Sequence, residues 1–203
     1  MKIPPKLQLL LCLGVVAFAA WGMWPQTALR RAPGVLAAGE PQQRLLPPHA
    51  LGEVRGFALT AHAEYALQAR VLHTKRYWDD GAKLVPYDVA LGWGPMSDQA
   101  VLDGLEIDQG HRFFFYEWRS APPIPEKEIA SHAANHHLIA ANASVAKTIR
   151  QLRAGQVVRL RGYLVQATRP DGFSWMTSLS RTDTGGGACE LFYVETAQFG
   201  DGG

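Results

Sequence analysis

The pattern of apolar and polar positions begins with an uncharged, apolar run over Leu7–Trp24. A helix rises about 1.5 Å per residue, and about 20 residues cross the hydrocarbon core of a bilayer, so this run is just long enough to span it. We therefore predict a transmembrane anchor in residues 1–24. A cleaved signal peptide is the alternative, because Lys2 and Lys6 form a charged leader and Ala17-Phe18-Ala19 is a small-x-small pattern.

A stretch rich in proline and glycine follows the apolar run. Residues 25–53 contain five of the 13 prolines of the chain, together with several glycine and glutamine residues. This composition is typical of extended linkers. We predict a linker over residues 25–53 and one exported domain over residues 54–203, which has the ordinary size of a single domain.

The rest of the chain alternates between strand and helix periodicity. Apolar residues recur at every second position in 63–71 and again in 158–164, which is typical of half-buried strands, and 113–118 is a further strand candidate. Asn142 is placed to cap a helix that extends to about Arg153. In the strand that follows, a glycine at position 162 leaves a gap in the apolar face and indicates a bend or bulge.

Residues 173–179 and 190–196 are the last predicted strands. Strands that precede one main helix and strands that follow it indicate an α+β domain, which we expect to be a small, partly closed antiparallel β-barrel beside the N-terminal transmembrane helix. An OB-like arrangement also places a helix before its fourth strand. This similarity of order implies no function.

Charge and cysteine content narrow the function. All 18 acidic residues follow Trp24, as do all basic residues except Lys2 and Lys6, so the exported part carries almost no net charge. Nucleic acid is therefore a disfavoured partner, because its binders usually present a basic face. With Cys12 inside the apolar run, only Cys189 remains in the exported part, and its fold must rely on a packed core.

Four segments resemble a family of uncharacterised bacterial envelope proteins. They are WGPMSD at 93–98, NHHLI at 135–139, GYLV at 162–165, and the region from Trp175 through RTDTGGGACE at 181–190. The chain departs from that pattern at Ala140, where a proline is expected, and at Thr177, where a serine is expected. The resemblance implies an N-terminal membrane segment and an exported domain, and it implies no activity.

Three residues are candidates for catalysis. His137 could act as a base for Ser178 or Cys189, and glycines before Cys189 could present backbone amides to an oxyanion. The triplet Asp183-Thr184-Gly185 is similar to that of aspartic proteases, but the single copy favours a turn. These features leave a small envelope hydrolase as an alternative, whereas a protein that is not an enzyme is favoured.

Other side chains are candidates for ligand binding. Trp93 lies between two glycines in a tight turn, and Trp175, Arg181 and Asp183 lie close to the last predicted strands. An aromatic ring can form a contact surface, and an arginine can bind a carboxylate. The histidines at 132, 136 and 137 lack the geometry of a helical metal site because a strand begins there, so we predict neither metal nor cofactor.

These patterns together predict a single-pass protein of the inner (cell) membrane. Residues 7–24 would insert in the bilayer, and the C-terminal domain would lie in the periplasm, because the leading lysines favour retention of the amino terminus inside. We expect a binding or assembly module of unknown ligand, with another envelope protein as a candidate partner. The hydrolase and an OB-type nucleic-acid binder remain the second and third hypotheses.

Overall fold

The computed structural model describes residues 28–180 and 188–200. Within these residues, which are mostly strand, three short α-helices lie between the strands. The helices are α1 Gln99–Leu102, α2 Glu126–Ser131 and α3 Ala143–Arg150. The strands are β1 Gln42–Val54, β2 Phe57–Arg76, β3 Tyr87–Gly92, β4 Glu106–Gly110, β5 Phe113–Glu117, β6 Ala133–Ala140, β7 Val157–Thr168, β8 Ser174–Met176 and β9 Glu190–Phe199.

Five of these strands form a ring-like, partly closed sheet. Its order is β2-β3-β6-β9-β7, and β7 pairs again with β2. Strand β1 pairs with β2, strand β8 pairs with β7, and β4 and β5 form a separate hairpin. The predicted small, partly closed β domain is thereby confirmed. The prediction that all strands run antiparallel is wrong, because β9 enters between β6 and β7 and runs parallel to β6.

The interior of the ring is built by the period-two pattern that the sequence shows. Buried and partly exposed residues alternate along most of β2, and the apolar positions of β7 point into the same core. Tyr65, Leu160 and Phe192 each expose at most 1% of their surface there. Burying such large apolar side chains provides about 1.5–3 kcal/mol each. The strand predictions for 63–71 and 158–164 are therefore confirmed.

Gly162 marks an irregularity in the ring. The pairing of β7 with β9 shifts register between Arg161 and Gly162. A Cβ atom added at Gly162 would lie 2.0 Å from the carbonyl oxygen of Tyr193, so only glycine allows the two backbones to approach so closely. The predicted bulge at this position is confirmed.

Helix α3 closes one side of the ring. The side chain of Asn142 accepts a hydrogen bond from Val145 N at 3.0 Å, as predicted for a helix cap. Val145 and Ile149 are buried against the core of the ring. The helix ends at Arg150 rather than at about Arg153, because the backbone N–H of Gln151 already turns back to the carbonyl of Thr148.

The structure differs from the predicted linker over residues 25–53. Residues 42–54 are strand β1, which pairs with β2 from Gln42 to Val54. The proline composition is misleading here, because the register shift between Leu45 and His49 removes Pro47 and Pro48 from the ladder, and an edge strand tolerates proline. The folded domain therefore begins before residue 54.

The segment that precedes β1 also packs on the domain. Gly34 N donates to the Asp98 side chain at 2.8 Å, and Ala37, which is only 2% exposed, donates its N–H to Ser97 Oγ at 3.0 Å. Asp98 caps α1 by accepting a hydrogen bond from Ala100 N, while the Ser97 hydroxyl accepts the N–H groups of Leu36 and Ala37 in the incoming segment.

Within residues 28–180 and 188–200, no helix combines the length and apolar character that a bilayer span requires. The predicted anchor at residues 7–24 lies outside the described residues.

Candidate functional site

The outer face of β3 and β6 carries polar side chains that are shielded from solvent. Asp88 and His137 are direct cross-strand neighbours. Ala90 and Asn135 are also paired, two residues farther along the same face. Asp88 is fully buried, and Asn135 and His137 expose 4% and 3% of their surfaces. Buried polar groups of this kind require partners.

The tip of the β4–β5 hairpin supplies the cation that this face needs. Its two turn residues, His111 and Arg112, have φ angles of +50° and +69°. Two successive positive φ angles are typical of the tight hairpin turns that usually contain Asn-Gly, and a non-glycine residue there carries strain of about 1–3 kcal/mol. The strained turn directs the Arg112 side chain at the barrel face.

Arg112 joins two carboxylates and one carbonyl. Its Nη1 donates to Asp88 Oδ1 and to the carbonyl of Val85, both at 2.9 Å. Its Nε and Nη2 donate to the two oxygens of Asp79 at 3.0 and 2.5 Å. The hydrogen bond from Arg112 lowers the pKa of Asp79 below its ordinary value, against the effect of partial burial. Burial lowers the pKa of Arg112, but the two carboxylates outweigh it and the net pKa is raised.

Aromatic rings pack around the same guanidinium. The Arg112 guanidinium carbon lies 4.1 Å from the centre of the Tyr77 ring and 5.6 Å from a Trp175 ring. The Tyr77 hydroxyl also accepts a hydrogen bond from Arg112 N at 3.1 Å, and burial raises the pKa of Tyr77. The hairpin tip is therefore held by ionic, hydrogen-bonding and cation–π contacts at once.

His137 is covered by the same group of residues. Its Nδ1 atom lies 2.9 Å from Asp88 Oδ1, within ion-pair distance, although the oxygen lies off the direction of a ring N–H. The imidazole packs on Trp175 with ring centres 4.7 Å apart. A histidine enclosed in this way cannot reach a substrate in solution without movement of Trp175.

Asn135 connects this network to the thiol of Cys189. Its side-chain oxygen accepts from Gln109 Nε2 at 2.5 Å, and its Nδ2 donates to the Arg112 carbonyl at 2.9 Å and approaches Cys189 Sγ at 3.8 Å. Gln109 Oε1 lies 3.0 Å from Nδ1 of His73. The amide thus joins the barrel, the hairpin and the start of β9.

A backbone hydrogen bond joins the two predicted nucleophiles, Ser178 and Cys189. Ser178 N donates to the Cys189 carbonyl at 3.1 Å, and the Cys189 thiol approaches the Arg112 carbonyl at 3.7 Å. The Ser178 hydroxyl donates to the Ser180 carbonyl at 3.2 Å. Among the described residues, no hydrogen bond joins His137 to either nucleophile.

A cleft of about 180 Å³ opens beside this network. One wall is aromatic and comes from the hairpin and the Trp93 turn, whereas the floor is polar and comes from β6 and the start of β9. Its lining comprises Trp93, Phe113, Phe114, Tyr116, Ala130, Ser131, Ala133, Ala134, Asn135, Ser180, Ala188, Cys189 and Glu190. An apolar wall with a few convergent polar groups is typical of ligand sites.

The predicted site residues separate into three groups. Trp93 and Cys189 line the cleft. His137 and Trp175 contact each other on the neighbouring face, with Ser178 bonded to the backbone of Cys189. The predicted ligand residues Arg181 and Asp183 lie outside the described residues.

Three important residues, Asp88, Arg112 and Asn135, were not predicted from the sequence. A charged residue inside the apolar stretch 84–92 was the available signal for Asp88. Arg112 and Asn135 have partners 24 and 47 positions away, which no local pattern indicates.

The three histidines of the 132–137 cluster diverge. His136 points into the ring, where its Nε2 lies 3.1 Å from the Tyr65 hydroxyl, whereas His137 lies on the outer face and His132 contacts Glu128. The part of the chain that the structure describes contains no group of three histidine, cysteine or acidic residues that could hold a metal ion.

No family model, no curated protein and no solved structure matches the chain. The resemblance of four segments to bacterial envelope proteins stays a prediction. A proposal for function therefore rests on the network and on the cleft.

Proposed function

We propose that the protein is a membrane-tethered, periplasmic binding module that takes up its ligand in the cleft between the β4–β5 hairpin and the β6–β9 pair. The observation that carries this proposal is the aromatic wall of the cleft beside a polar network whose side chains bind one another. Such a network fixes the walls of a site in advance, which lowers the entropy cost of binding.

The strand order supports an OB-like barrel as the framework of this module. Numbered one to five along the chain, strands β2, β3, β6, β7 and β9 pair in the order 1-2-3-5-4-1, and α3 lies between the third and the fourth. OB folds bind ligands on the face of strands two and three. In this chain those strands are β3 and β6, which carry the network.

The size of the cleft indicates the kind of ligand. Pockets for whole drug-sized molecules usually measure about 300–1,000 Å³, whereas this cleft measures about 180 Å³. The cleft therefore suits one ring or side chain rather than an entire cofactor. An aromatic or apolar side chain of a partner protein in the envelope, held between Phe114 and the polar floor near Asn135, satisfies these dimensions.

The tether is the part of the proposal that rests on sequence. Residues 7–24 are uncharged and long enough to span a bilayer, and the lysines before them favour an inner-membrane topology with the domain in the periplasm. Alkaline phosphatase fused after Gly203 should be active if the domain is exported. A stable but inactive fusion would contradict that topology.

Binding in the cleft can be tested with N-acetyl-4-fluorophenylalanine amide, which presents one aromatic side chain, by fluorine NMR on the full chain in detergent. We expect Ala130→Trp to remove the line broadening, because Ala130 is an exposed helix residue that lines the cleft. Ala143→Trp is the matched control, since Ala143 is also an exposed helix residue. Equal broadening in both variants would overturn the site.

A small hydrolase is the second proposal, and the position of Cys189 favours it. Cys189 lines the cleft and contacts Asn135, which approaches Asp88, the neighbour of His137. A thiolate–imidazole pair nevertheless requires direct contact between its two members. Hydrolysis of p-nitrophenyl acetate that is lost in both Cys189→Ala and His137→Gln would favour this proposal over simple binding.

An OB-type nucleic-acid binder is the third proposal. Arg159 and Arg161 are exposed on the outer face of β7, but Arg159 donates to Gln68, and the neighbouring Tyr163 ring contacts His49 at 5.9 Å. Binders of single strands need exposed rings for stacking as well as positive charge. Retention on a DNA column that does not change with salt would exclude this proposal.

A further inference from the structure

The first residues of the described domain are fixed to it by several contacts. Leu29 N donates to the Ala154 carbonyl at 2.8 Å, and Arg31 Nε donates to the Gly155 carbonyl at 2.9 Å. Gly155 has a φ angle of +91°, and a Cβ atom there would lie 1.9 Å from the Leu29 carbonyl oxygen. The chain therefore enters the domain at a defined point, beside the loop between α3 and β7.

Very little chain separates this point from the proposed anchor. Between Trp24 and Ala28 lie only three residues, namely Pro25, Gln26 and Thr27. From Trp24 to Ala28 the chain advances by four residues, each of which spans at most about 3.6 Å, so the two residues lie no more than roughly 14 Å apart. The headgroup layer alone is several ångströms thick on each side of the hydrocarbon core. The entry point must then lie at or just above the bilayer surface.

Basic residues lie in the entry segment and in the helix and loop that lead to Gly155. We define the basic collar as Arg30, Arg31, Lys147, Arg150 and Arg153, which lie in the entry segment, the last turn of α3 and the loop after it. Arg30, Lys147 and Arg150 are exposed, while the other two are half-buried. Two acidic residues face the entry segment, Asp103 through Arg30 and Asp98 through Gly34. Five basic groups thus outnumber two acidic ones.

Exposed apolar side chains accompany these charges. Val35 of the entry segment is 50% exposed, and Phe199 at the end of β9 is 41% exposed. Phe199 pairs with Val158, and the next residue, Gly200, donates its N–H to the Val157 carbonyl, only two residues after Gly155. Basic groups mixed with apolar side chains are typical of surfaces that lie in the membrane interface.

We infer that the basic collar rests on the bilayer and binds anionic lipid headgroups, so that the domain lies against the membrane rather than away from it. This inference depends on the proposed anchor. The short tether keeps the collar close to the bilayer. Its positive charge selects phospholipids with a net negative charge, with roughly fivefold tighter contact per basic residue near the surface.

The test uses the full chain reconstituted in vesicles of phosphatidylcholine, with or without phosphatidylglycerol, in a Cys12→Ser/Cys189→Ser background. A donor dye is attached at Gln151→Cys, beside the collar, and energy transfer to acceptors in the headgroups is measured. Ser174→Cys on β8 is the matched control. Ser174 pairs with Thr168, 11 residues along β7 from Val157, which corresponds to roughly 36 Å.

We expect strong transfer from position 151 and weak transfer from position 174 in both lipids. Equal transfer from the two positions would overturn the inference. A vesicle pellet washed with alkaline carbonate tests the anchor separately. If the chain is extracted, the proposed tether fails, whereas equal transfer in a chain that resists extraction overturns only the contact.

The role of charge is tested after a flexible glycine–serine insertion of about 20 residues behind Thr27 releases the short tether. With phosphatidylglycerol, transfer from position 151 should persist. A variant with Arg30→Glu, Lys147→Glu and Arg150→Glu should lose it, since three charges at roughly fivefold each weaken contact by on the order of 100-fold or more. Energy transfer from position 151 that persists in this charge-reversed variant would overturn headgroup binding. So would transfer that persists when the insertion variant with its native charges is placed in pure phosphatidylcholine.

Discussion

Arg112 Nη1 lies 2.9 Å from Asp88 Oδ1, and this contact joins the tip of the β4–β5 hairpin to a carboxylate with no exposed surface on β3. The side chain of Arg112 is itself only 16% exposed. Removing two charges from water is costly, and their mutual attraction offsets that cost only while both are present. The position of the hairpin, and with it the aromatic wall of the cleft, therefore depends on the side chain of Arg112.

Replacing Arg112 should destabilise the protein strongly. Arg112→Met leaves Asp88 buried with a charge that lacks its main cation, and we expect the free energy of unfolding to fall by about 3–5 kcal/mol. Arg119→Met is the matched control on the same hairpin, because Arg119 is 89% exposed and pairs with Glu106, for which a loss below about 1 kcal/mol is expected. Urea denaturation measures both. Similar losses would show that the hairpin tip is not a special contact.

Acid should weaken the attachment of the hairpin through Asp79. Its folded-state pKa lies below the ordinary value because of the hydrogen bond from Arg112. A lowered pKa means that the carboxylate stabilises the fold above about pH 4, and that this contribution disappears as the pH falls through the lowered pKa. Asp79→Asn should therefore be less stable than the wild type at about pH 6. The difference should shrink at about pH 3, and a constant difference would contradict this assignment.

Thiol reagents should reach Cys189 through the cleft. In a Cys12→Ser background, we expect a maleimide reagent to label Cys189 slowly, because its side chain is partly exposed and lines the cleft. Ala130→Trp should slow labelling further by filling the opening, whereas Ala143→Trp should not change the rate. Mass spectrometry over a time course gives both rates. If Ala130→Trp labels as fast as the parent, the thiol is reached by another route.

The close approach of β7 and β9 should make Gly162 irreplaceable. In Gly162→Ala the new Cβ meets the Tyr193 carbonyl oxygen at 2.0 Å, so one strand must move. We expect a loss of more than about 2 kcal/mol, in the range of overpacked cores. Gly172→Ala is the control, because Gly172 has a φ of +89° but nothing within 4 Å of the added Cβ atom. If Gly172→Ala lowers the free energy of unfolding as much as Gly162→Ala does, the effect comes from backbone conformation and not from the contact with Tyr193.

Local patterns predicted the parts of the fold that local physics determines. Alternation in 63–71 and in 158–164 identified the two strands that form most of the barrel wall, and Asn142 identified the start of α3. The sequence could not show that β9 would enter beside β6, because strand pairing depends on closure of the whole ring. Composition was misleading over residues 42–53, where two prolines in an edge strand resembled a linker.

The site was less predictable than the fold for a related reason. His137 and Cys189 were noted because their side chains are reactive, and the structure places His137 on β6 and Cys189 immediately before the neighbouring strand β9. The residues that hold the site together, Asp88, Arg112 and Asn135, come from three separate elements. Their importance arises only from burial and from contacts distant in sequence.

The position of β9 also has a consequence for biogenesis. It is the last strand described, yet it lies between β6 and β7, so a nascent chain that ends before residue 190 leaves both of those strands with open edges. Open edges of apolar strands invite pairing with other chains. The domain should therefore close only after nearly all of it has been synthesised, and the nascent chain would need protection by chaperones until β9 emerges.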